Sequence, residues 1–279
     1  MIIERKVFEP GMHDISNEEY HSSAGISRTG IKEFKRSPRH FWYKYVNPDY
    51  KRSPTASGSA LEFGSALHTY VLEKNKFDND YFISEKNPHH GSSTEGRKFK
   101  TDMLLKSKHK ILIDDSDFST IKSMSDSINS DDEARELITG ATYEKSIYWI
   151  DPDTQLLCKC RPDIIHDNFI VDLKTTADAS YKEFQRSFYN YGYHLQVAMI
   201  QQGFEHALNK SMRNFIDLAV EKTEPFSTAV YLIDESTLQH GIDEFKHYLV
   251  AIKECIDNDS WPSYATKTII LPAYATFGE

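Results

Sequence analysis

The chain predicts a mixed α/β fold in which a central mixed sheet with three antiparallel strands is flanked by helices. Three observations carry this reading. Apolar residues recur at helical spacing before residue 74 and with a period of two after residue 142. Helix-start signals, a capping serine just ahead of a periodic run, occur at Ser27, Ser37 and Ser180. With 39% hydrophobic and 13% aromatic residues, 279 residues supply enough apolar surface for a sizeable core, here read as one domain over 1–279.

The elements follow in order. Ser27 caps a helix through Arg36, and Ser37 with Pro38 at the first helical position opens a second through about Tyr45. ALEFGSALHTYVLE (60–73) reads as one helix. Residues 74–141, rich in Asn, Ser, Asp and Lys, read as a partly helical insertion, loosest at GSSTEG. TYEKSIYWI (142–150) and QLLCKCRPDI (155–164) flank the turn-forming DPDT and read as a hairpin, and FIVDLKT (169–175) is the third strand. Ser180 and Glu183 form a capping box for a helical region to about Gln202, ended by Gly203. Strands near 214–221 and 227–234 and a helix from about Glu235 to Cys255 complete the chain.

The net charge of −9 argues against a general nucleic-acid coat, but charge is segregated. Within basic, aromatic N-terminal helices (20–56), residues 28–52 hold Arg28, Lys32, Lys35, Arg36, Arg39, Lys44, Lys51 and Arg52 against Glu33 and Asp49. Phe34, Phe41, Trp42, Tyr43 and Tyr45 are interleaved, a composition that suits a phosphate backbone; the alternative is a solvated face. A second basic stretch (96–110) followed by an acidic one (114–136) reads as solvated surface. Cys158, Cys160 and Cys255 suit a reducing compartment. The first two lie on one strand face; their count excludes a four-cysteine centre but not mixed Cys/His zinc ligation. No apolar run of about 18 residues and no basic-then-apolar N-terminus occur, so the expectation is a cytoplasmic protein without membrane contact.

RPDIIHDNFIVDLKTT (161–176) holds the chemistry. Two apolar strand segments flank HDN, and each carries an aspartate where a buried strand should have none. If Asp167 and Asn168 form a two-residue turn, His166 pairs with Phe169 and Asp163 falls opposite Asp172. Alternation puts Asp172 and Lys174 on one face and Phe169, Val171 and Leu173 on the other, against a helix. Facing carboxylates repel, so something positive must compensate. Lys174 is one source. The two carboxylates beside the Leu173 backbone carbonyl are also hard oxygen ligands suited to Mg²⁺ or Mn²⁺. A purely structural ion-pair cluster with Lys159, Arg161 and Lys174 is the alternative. Glu144 is either an extra acid or, if DPDT makes the tight turn, the cross-strand partner of Arg161.

Pro162-Asp163 followed by Asp172-Leu173-Lys174 resembles the motif of the PD-(D/E)xK nuclease superfamily. With ISRTGIKEFKRSPRHFWYKY, GSALHTYVLE, CRPDII, IVDLKTT, YGYHLQVAMI and a terminal WPSY, residues 20–265 are similar to the exodeoxyribonuclease VIII (RecE) type of recombination exonuclease. The resemblance implies a restriction-endonuclease-like core within a single nuclease domain, the main catalytic part being 142–256. It implies that His68 belongs to the metal site with Asp163, Asp172 and the Leu173 carbonyl, and that Gln196 lies beside it. Asp163, Asp172, Lys174 and Gln196 then carry catalysis, and Arg28, Lys32, Lys35, Arg36, Arg39, Trp42 and Tyr193 contact DNA. The implied reaction is Mg²⁺-dependent (or Mn²⁺-dependent) hydrolysis from the ends of linear double-stranded DNA, 5′ to 3′, in recombination. A homo-oligomer, a tetrameric ring by preference, and a single-strand annealing protein are the implied partners. Many relatives carry tyrosine four residues after the glutamine. Here Ile200 stands there, with Tyr193 or Tyr191 available to substitute. The four cysteines of the iron–sulfur relatives are missing. An endonuclease, a single-strand nuclease and a catalytically silent DNA-end-binding module are the competing readings.

Overall fold

A computed structural model of the chain describes residues 5–50 and 60–271. Strand β1 (Gly11–His13) and helix α1 (Asn17–Ser22) precede α2 (Arg28–Arg36) and α3 (Pro38–Phe41), which runs on as a π-helical turn at Trp42–Val46. Helices α4 (Ala60–Leu72) and α5 (Lys74–Asp80), β2 (Tyr81–Ile83), α6 (Thr94–Ser107), β3 (Ile111–Ile113), α7 (Asp115–Ser130) and α8 (Asp132–Ile138) follow. Then come β4 (Thr142–Tyr143), β5 (Ser146–Ile150), β6 (Leu157–Cys160), β7 (Ile164–Ile165) and β8 (Phe169–Thr176). Helices α9 (Tyr181–Tyr191) and α10 (Tyr193–Leu208), strands β9 (Asn214–Glu221) and β10 (Thr228–Leu232), and α11 (Glu235–Asp257) complete the order. The expected caps form at two helices: Ser27 Oγ accepts from the Gly30 amide at 3.4 Å, and Ser37 Oγ from the His40 amide at 3.3 Å. Lys51 and Arg52 of the basic run lie outside the described residues.

The mixed α/β expectation holds. The central sheet has the strand order β10-β9-β8-β7-β4, with β8 and β9 parallel and the other pairs antiparallel. A second sheet, β1-β5-β6, is antiparallel, and β2 pairs with β3 in parallel. The β7–β8 hairpin has the expected register: Ile165 pairs with Ile170, and the His166 amide donates to the Phe169 carbonyl at 3.0 Å.

The preceding hairpin departs from expectation in two ways. Its register is Ile150 to Leu157 because Asp151 Oδ2 accepts from the Thr154 amide (2.8 Å) and hydroxyl (2.6 Å), closing a longer loop than DPDT alone. Glu144 therefore falls opposite Asp163, whose carbonyl accepts its amide at 2.9 Å, and not opposite Arg161. The strands are also shared between sheets. Glu144 takes φ +51°, a left-handed conformation that breaks the ladder, so β4 and β7 join the central sheet while β5 and β6 join the other.

Both faces of the central sheet are covered. Ile164, Val171, Leu173, Leu218 and Val220 pack with Ala66 and Leu67 of α4, Ile121, Met124 and Ile128 of α7, and the apolar side of α8. Residues 115–138 are thus a layer of the core, their apolar positions hidden in sequence among serines and aspartates. On the other face Ile170 and Phe215 join Trp149, Cys158, Cys160, Leu195, Phe204 and Phe245, bringing α10 and α11 against the second sheet.

The helices after β8 differ from the reading. Ser180 occupies the N-cap of α9 without a side-chain cap hydrogen bond; its amide is held instead by Asp178 Oδ1 at 2.7 Å. The helical region breaks at Gly192, in the left-handed conformation (φ +69°), and runs through Gly203 to Leu208. Gly203 serves close packing: a Cβ there would lie 3.1 Å from Cys160 Sγ and 3.2 Å from Trp149. Gly241 does the same where α11 meets α10, because its Cβ would lie 2.3 Å from the His194 carbonyl oxygen.

Backbone cannot move aside as a side-chain tip can. Gly241→Ala is therefore expected to lower stability by roughly 1–2 kcal/mol, the strain outweighing about 1 kcal/mol of helix propensity gained. Urea denaturation measures it, and a stabilised variant would show that the two helices separate freely.

Candidate active site

Strand β7 begins at Ile164, so the peptide of Leu173 on β8 extends past its ladder. Asp163 fills the gap: its Oδ2 accepts the Leu173 amide at 2.9 Å. A residue's N–H and C=O point to one edge of a strand, so the Leu173 carbonyl faces the same gap. Helix α4 delivers His68, with Nδ1 3.4 Å from Asp163 Oδ2 and 3.7 Å from Glu144 Oε1. Glu144 reaches this point because of its left-handed backbone, while its Oε2 accepts from Arg161 Nε at 2.8 Å. It is both the extra acid and the arginine's partner. The Lys159 ammonium donates to the Tyr20 and Ser23 carbonyls at 2.6 and 2.8 Å.

Asp172 and Lys174 project from the same face of β8 and form a buried ion pair. Gln196, in the first turn of α10, ties both: its Nε2 donates to Asp172 Oδ1 at 2.5 Å, and Lys174 Nζ donates to its Oε1 at 3.0 Å. The Tyr193 ring lies 4.0 Å from the Lys174 ammonium, and Asp217 of β9 stands in parallel register with Asp172. Asp217 is 1% exposed, and sequence reasoning missed it. Its signal was the one that exposed Asp172: an aspartate inside an apolar alternating strand, NFIDLAVE.

Burial and the neighbouring Asp172 push the Asp163 carboxyl up to about 8. Burial pushes Asp217 up to about 7, although Lys174 opposes it. Burial alone would lower the His68 imidazole, but Asp163 and Glu144 raise it to about 9. Lys174 is raised as well, Asp172 and Asp217 overcoming its desolvation. These shifts describe a pocket whose carboxylates outweigh its cations.

One nitrogen of His68 and carboxylate oxygens of Glu144 and Asp163 lie within 4.8 Å of one another, a donor set able to hold a metal ion. Hard oxygens plus one imidazole, short of compensating charge, fit a divalent cation. Asp172 does not join this cluster here; Lys174 and Gln196 engage it. Of the residues read as DNA contacts, Arg28 lies over Tyr193 (5.6 Å) and Lys32 over Tyr191 (5.8 Å), next to the site. Lys35 pairs with Glu244, Arg36 with Glu33 at 3.2 Å, and Arg39 stacks on Trp42 at 4.2 Å.

The family described as PDDEXK-like domain of unknown function (DUF3799) matches residues 27–271. The chain belongs to this family. A solved structure named as a candidate exonuclease of Eubacterium rectale aligns with 96% of this chain and 100% of its own, at 16% identity and a TM-score of 0.62, a likeness of fold. A phage-related exonuclease of Haemophilus somnus aligns over 70% of this chain and 95% of its own (10% identity, TM-score 0.34). An alkaline exonuclease of Laribacter hongkongensis does so over 61% and 87% (11% identity, TM-score 0.28). No curated protein matches the sequence. Among the described residues of this PDDEXK-like domain, no helix is long and apolar enough to cross a membrane.

The raised carboxyls set a pH dependence. Folded Asp163 and Asp217 keep protons that unfolded carboxyls, with a pKa of about 3.9, have lost, so folding stability falls as pH rises between about 5 and 8. His68 acts in the same direction from about pH 6.5 upward. Urea midpoints in EDTA should therefore drop over this window, and Asp217→Asn should flatten the drop. A flat wild-type profile would refute the undercompensated pocket.

Proposed function

We propose that the protein is a metal-dependent exonuclease of the RecE kind that hydrolyses phosphodiester bonds from the ends of linear double-stranded DNA, 5′ to 3′, in recombination. The observation that carries the reading is the buried pairing of Asp163 and Asp172 across the β7–β8 hairpin, with Lys174 beside them and His68 against Asp163. His68, Glu144 and Asp163 would hold Mg²⁺, or Mn²⁺ in its place, with Asp172 and the Leu173 carbonyl at the same edge. When bound, the ion supplies Lewis-acid polarisation of the phosphate and a water of lowered pKa.

The protein's own groups do the rest. Lys174, held protonated by two aspartates, serves as a fixed positive charge for the negative charge that develops on the phosphate oxygens, and not as a base. Gln196 positions Asp172 and Lys174 relative to each other. Arg28 and Lys32, on aromatic rings next to the site, suit phosphates of the incoming strand.

The test is digestion of end-labelled linear duplex with Mg²⁺. EDTA should abolish it, and Asp172→Asn should slow it by at least about 10²-fold, the scale of losing one transition-state contact. Wild-type turnover in that variant would overturn the assignment. Equal digestion of closed circular duplex would favour an endonuclease, and binding of DNA ends without cleavage would favour the silent module.

A net charge of −9 repels DNA at long range, so sustained digestion calls for basic surfaces gathered around the strand. We therefore propose a closed homo-oligomer, a tetramer by preference, with the 28–52 region near its channel and a single-strand annealing protein as a partner. Light scattering at micromolar concentration tests the assembly. A 32.2 kDa monomer that is still processive on long duplex would exclude the ring.

A further inference from the structure

Outside the Asp163 pocket, a second group of ligating side chains lies where α10 meets α11. His194 is 3% exposed in the first turn of α10, and it sits two residues before Gln196. Two residues turn a helix by about 200°, so His194 faces away from Gln196 and the Asp172–Lys174 pair. His240 and Glu244 stand one turn apart on α11 and therefore share a face. Gly241 between them brings that face against the His194 backbone. His194 Nε2–H donates to Glu244 Oε2 at 2.6 Å, and the other Glu244 oxygen is paired with the Lys35 ammonium. His240 is exposed, its ring centroid 5.7 Å from that of His194, and ligand atoms of all three residues lie within 4.8 Å of one another.

We propose that His194, His240 and Glu244 form a binding site for a first-row transition-metal ion of the Zn²⁺ class, separate from the Asp163 centre, that clamps α10 to α11. The donor set decides the class. Two imidazoles and one carboxylate suit Zn²⁺ and its neighbours, whereas Mg²⁺ takes oxygen-rich sites like the one at Asp163.

The geometry needs little change. Metal–ligand bonds of about 2.0–2.1 Å in a tetrahedron put neighbouring donors about 3.4 Å apart. One existing separation is 2.6 Å and none exceeds 4.8 Å: the Nε2–Oε2 pair opens by less than about 1 Å, and the exposed His240 ring can turn onto the third corner. Binding at Nε2 takes the other tautomer of the neutral imidazole, so the proton now between Nε2 and Oε2 is exchanged to Nδ1. Lys35 keeps its hold on the second carboxylate oxygen and orients the ligand from outside. The fourth position is open to water.

The clamp has a structural consequence. His194 follows Tyr193, whose ring lies against Lys174, and both come directly after the left-handed Gly192. A metal here fixes the α9–α10 elbow. The inference goes beyond the nuclease reading and does not depend on it.

Zn²⁺ titration of the metal-free full chain against a chromophoric chelator, in excess Mg²⁺, tests it with wild type, Asp163→Asn and His240→Ala. One tight Zn²⁺ site is expected in wild type and in Asp163→Asn, with both thermal midpoints raised by Zn²⁺. In His240→Ala, a solvent-facing change, affinity should fall at least about 10-fold, since even an outer-shell partner costs that much, and the thermal shift should vanish. His240→Cys should restore binding, and Co²⁺ should give the visible absorption of a four-coordinate site in wild type alone of the wild-type and alanine pair. Equal Zn²⁺ affinity in His240→Ala, loss of the tight site in Asp163→Asn, or no tight binding in wild type would each overturn the proposal.

Discussion

The sheet depends on one buried cation. Asp172 and Asp217 stand side by side on parallel strands β8 and β9, each almost wholly removed from water, and the Lys174 ammonium pairs with Asp172 while feeling the charge of Asp217. Without that cation either ionised carboxylate would be strongly disfavoured in such surroundings. Removing one partner of a buried pair costs far more than the pair contributes, because the charge left behind has nowhere to go. Gln196 and the Tyr193 ring complete the enclosure, so the first turn of α10 is positioned by the same lysine that the site's chemistry would use.

How much of this was legible depended on whether the deciding contact was local. The β7–β8 hairpin could be read because an Asp-Asn turn leaves one register, and that register alone sets Asp163 opposite Asp172. The β5–β6 register could not, because Asp151 recruits the Thr154 hydroxyl and amide into a longer loop that no turn preference announces. The division into two sheets hangs on a single left-handed glutamate, a conformation sequence does not reveal outside glycine. Gly203 looked like a helix terminus, yet it answers to Cys160 and Trp149 from another sheet. The helices of 74–141 were obscured because their apolar positions are few and widely spaced among polar residues.

The candidate site shows the same division. Asp163, Asp172 and Lys174 were found from alternation, and His68 and Gln196 through family likeness, and the fold brings all five to one place. Asp217 escaped because parallel pairing across residues 177–213 is invisible to hairpin arithmetic. The basic N-terminal run was read by count, but Glu33 and Glu244 neutralise part of it. Among the described residues, the pair of cations resting on Tyr191 and Tyr193 stays next to the site.

That parallel pairing also orders events in time. The contact between Asp163 and Leu173 closes a short loop, so the hairpin that carries the motif has a low closure cost. Strand β9 reaches β8 only after α9 and α10 have crossed over the sheet, a long closure that forms late for chain-entropy reasons. Until then Asp172 and Lys174 remain hydrated, and no repulsion has accumulated. The penalty of burying like charges thus arises in the last step of assembly, when the packing of both sheet faces is available to offset it. A chain interrupted before β9 docks would hold its acidic motif in water, with the charges of Asp172 and Lys174 still hydrated.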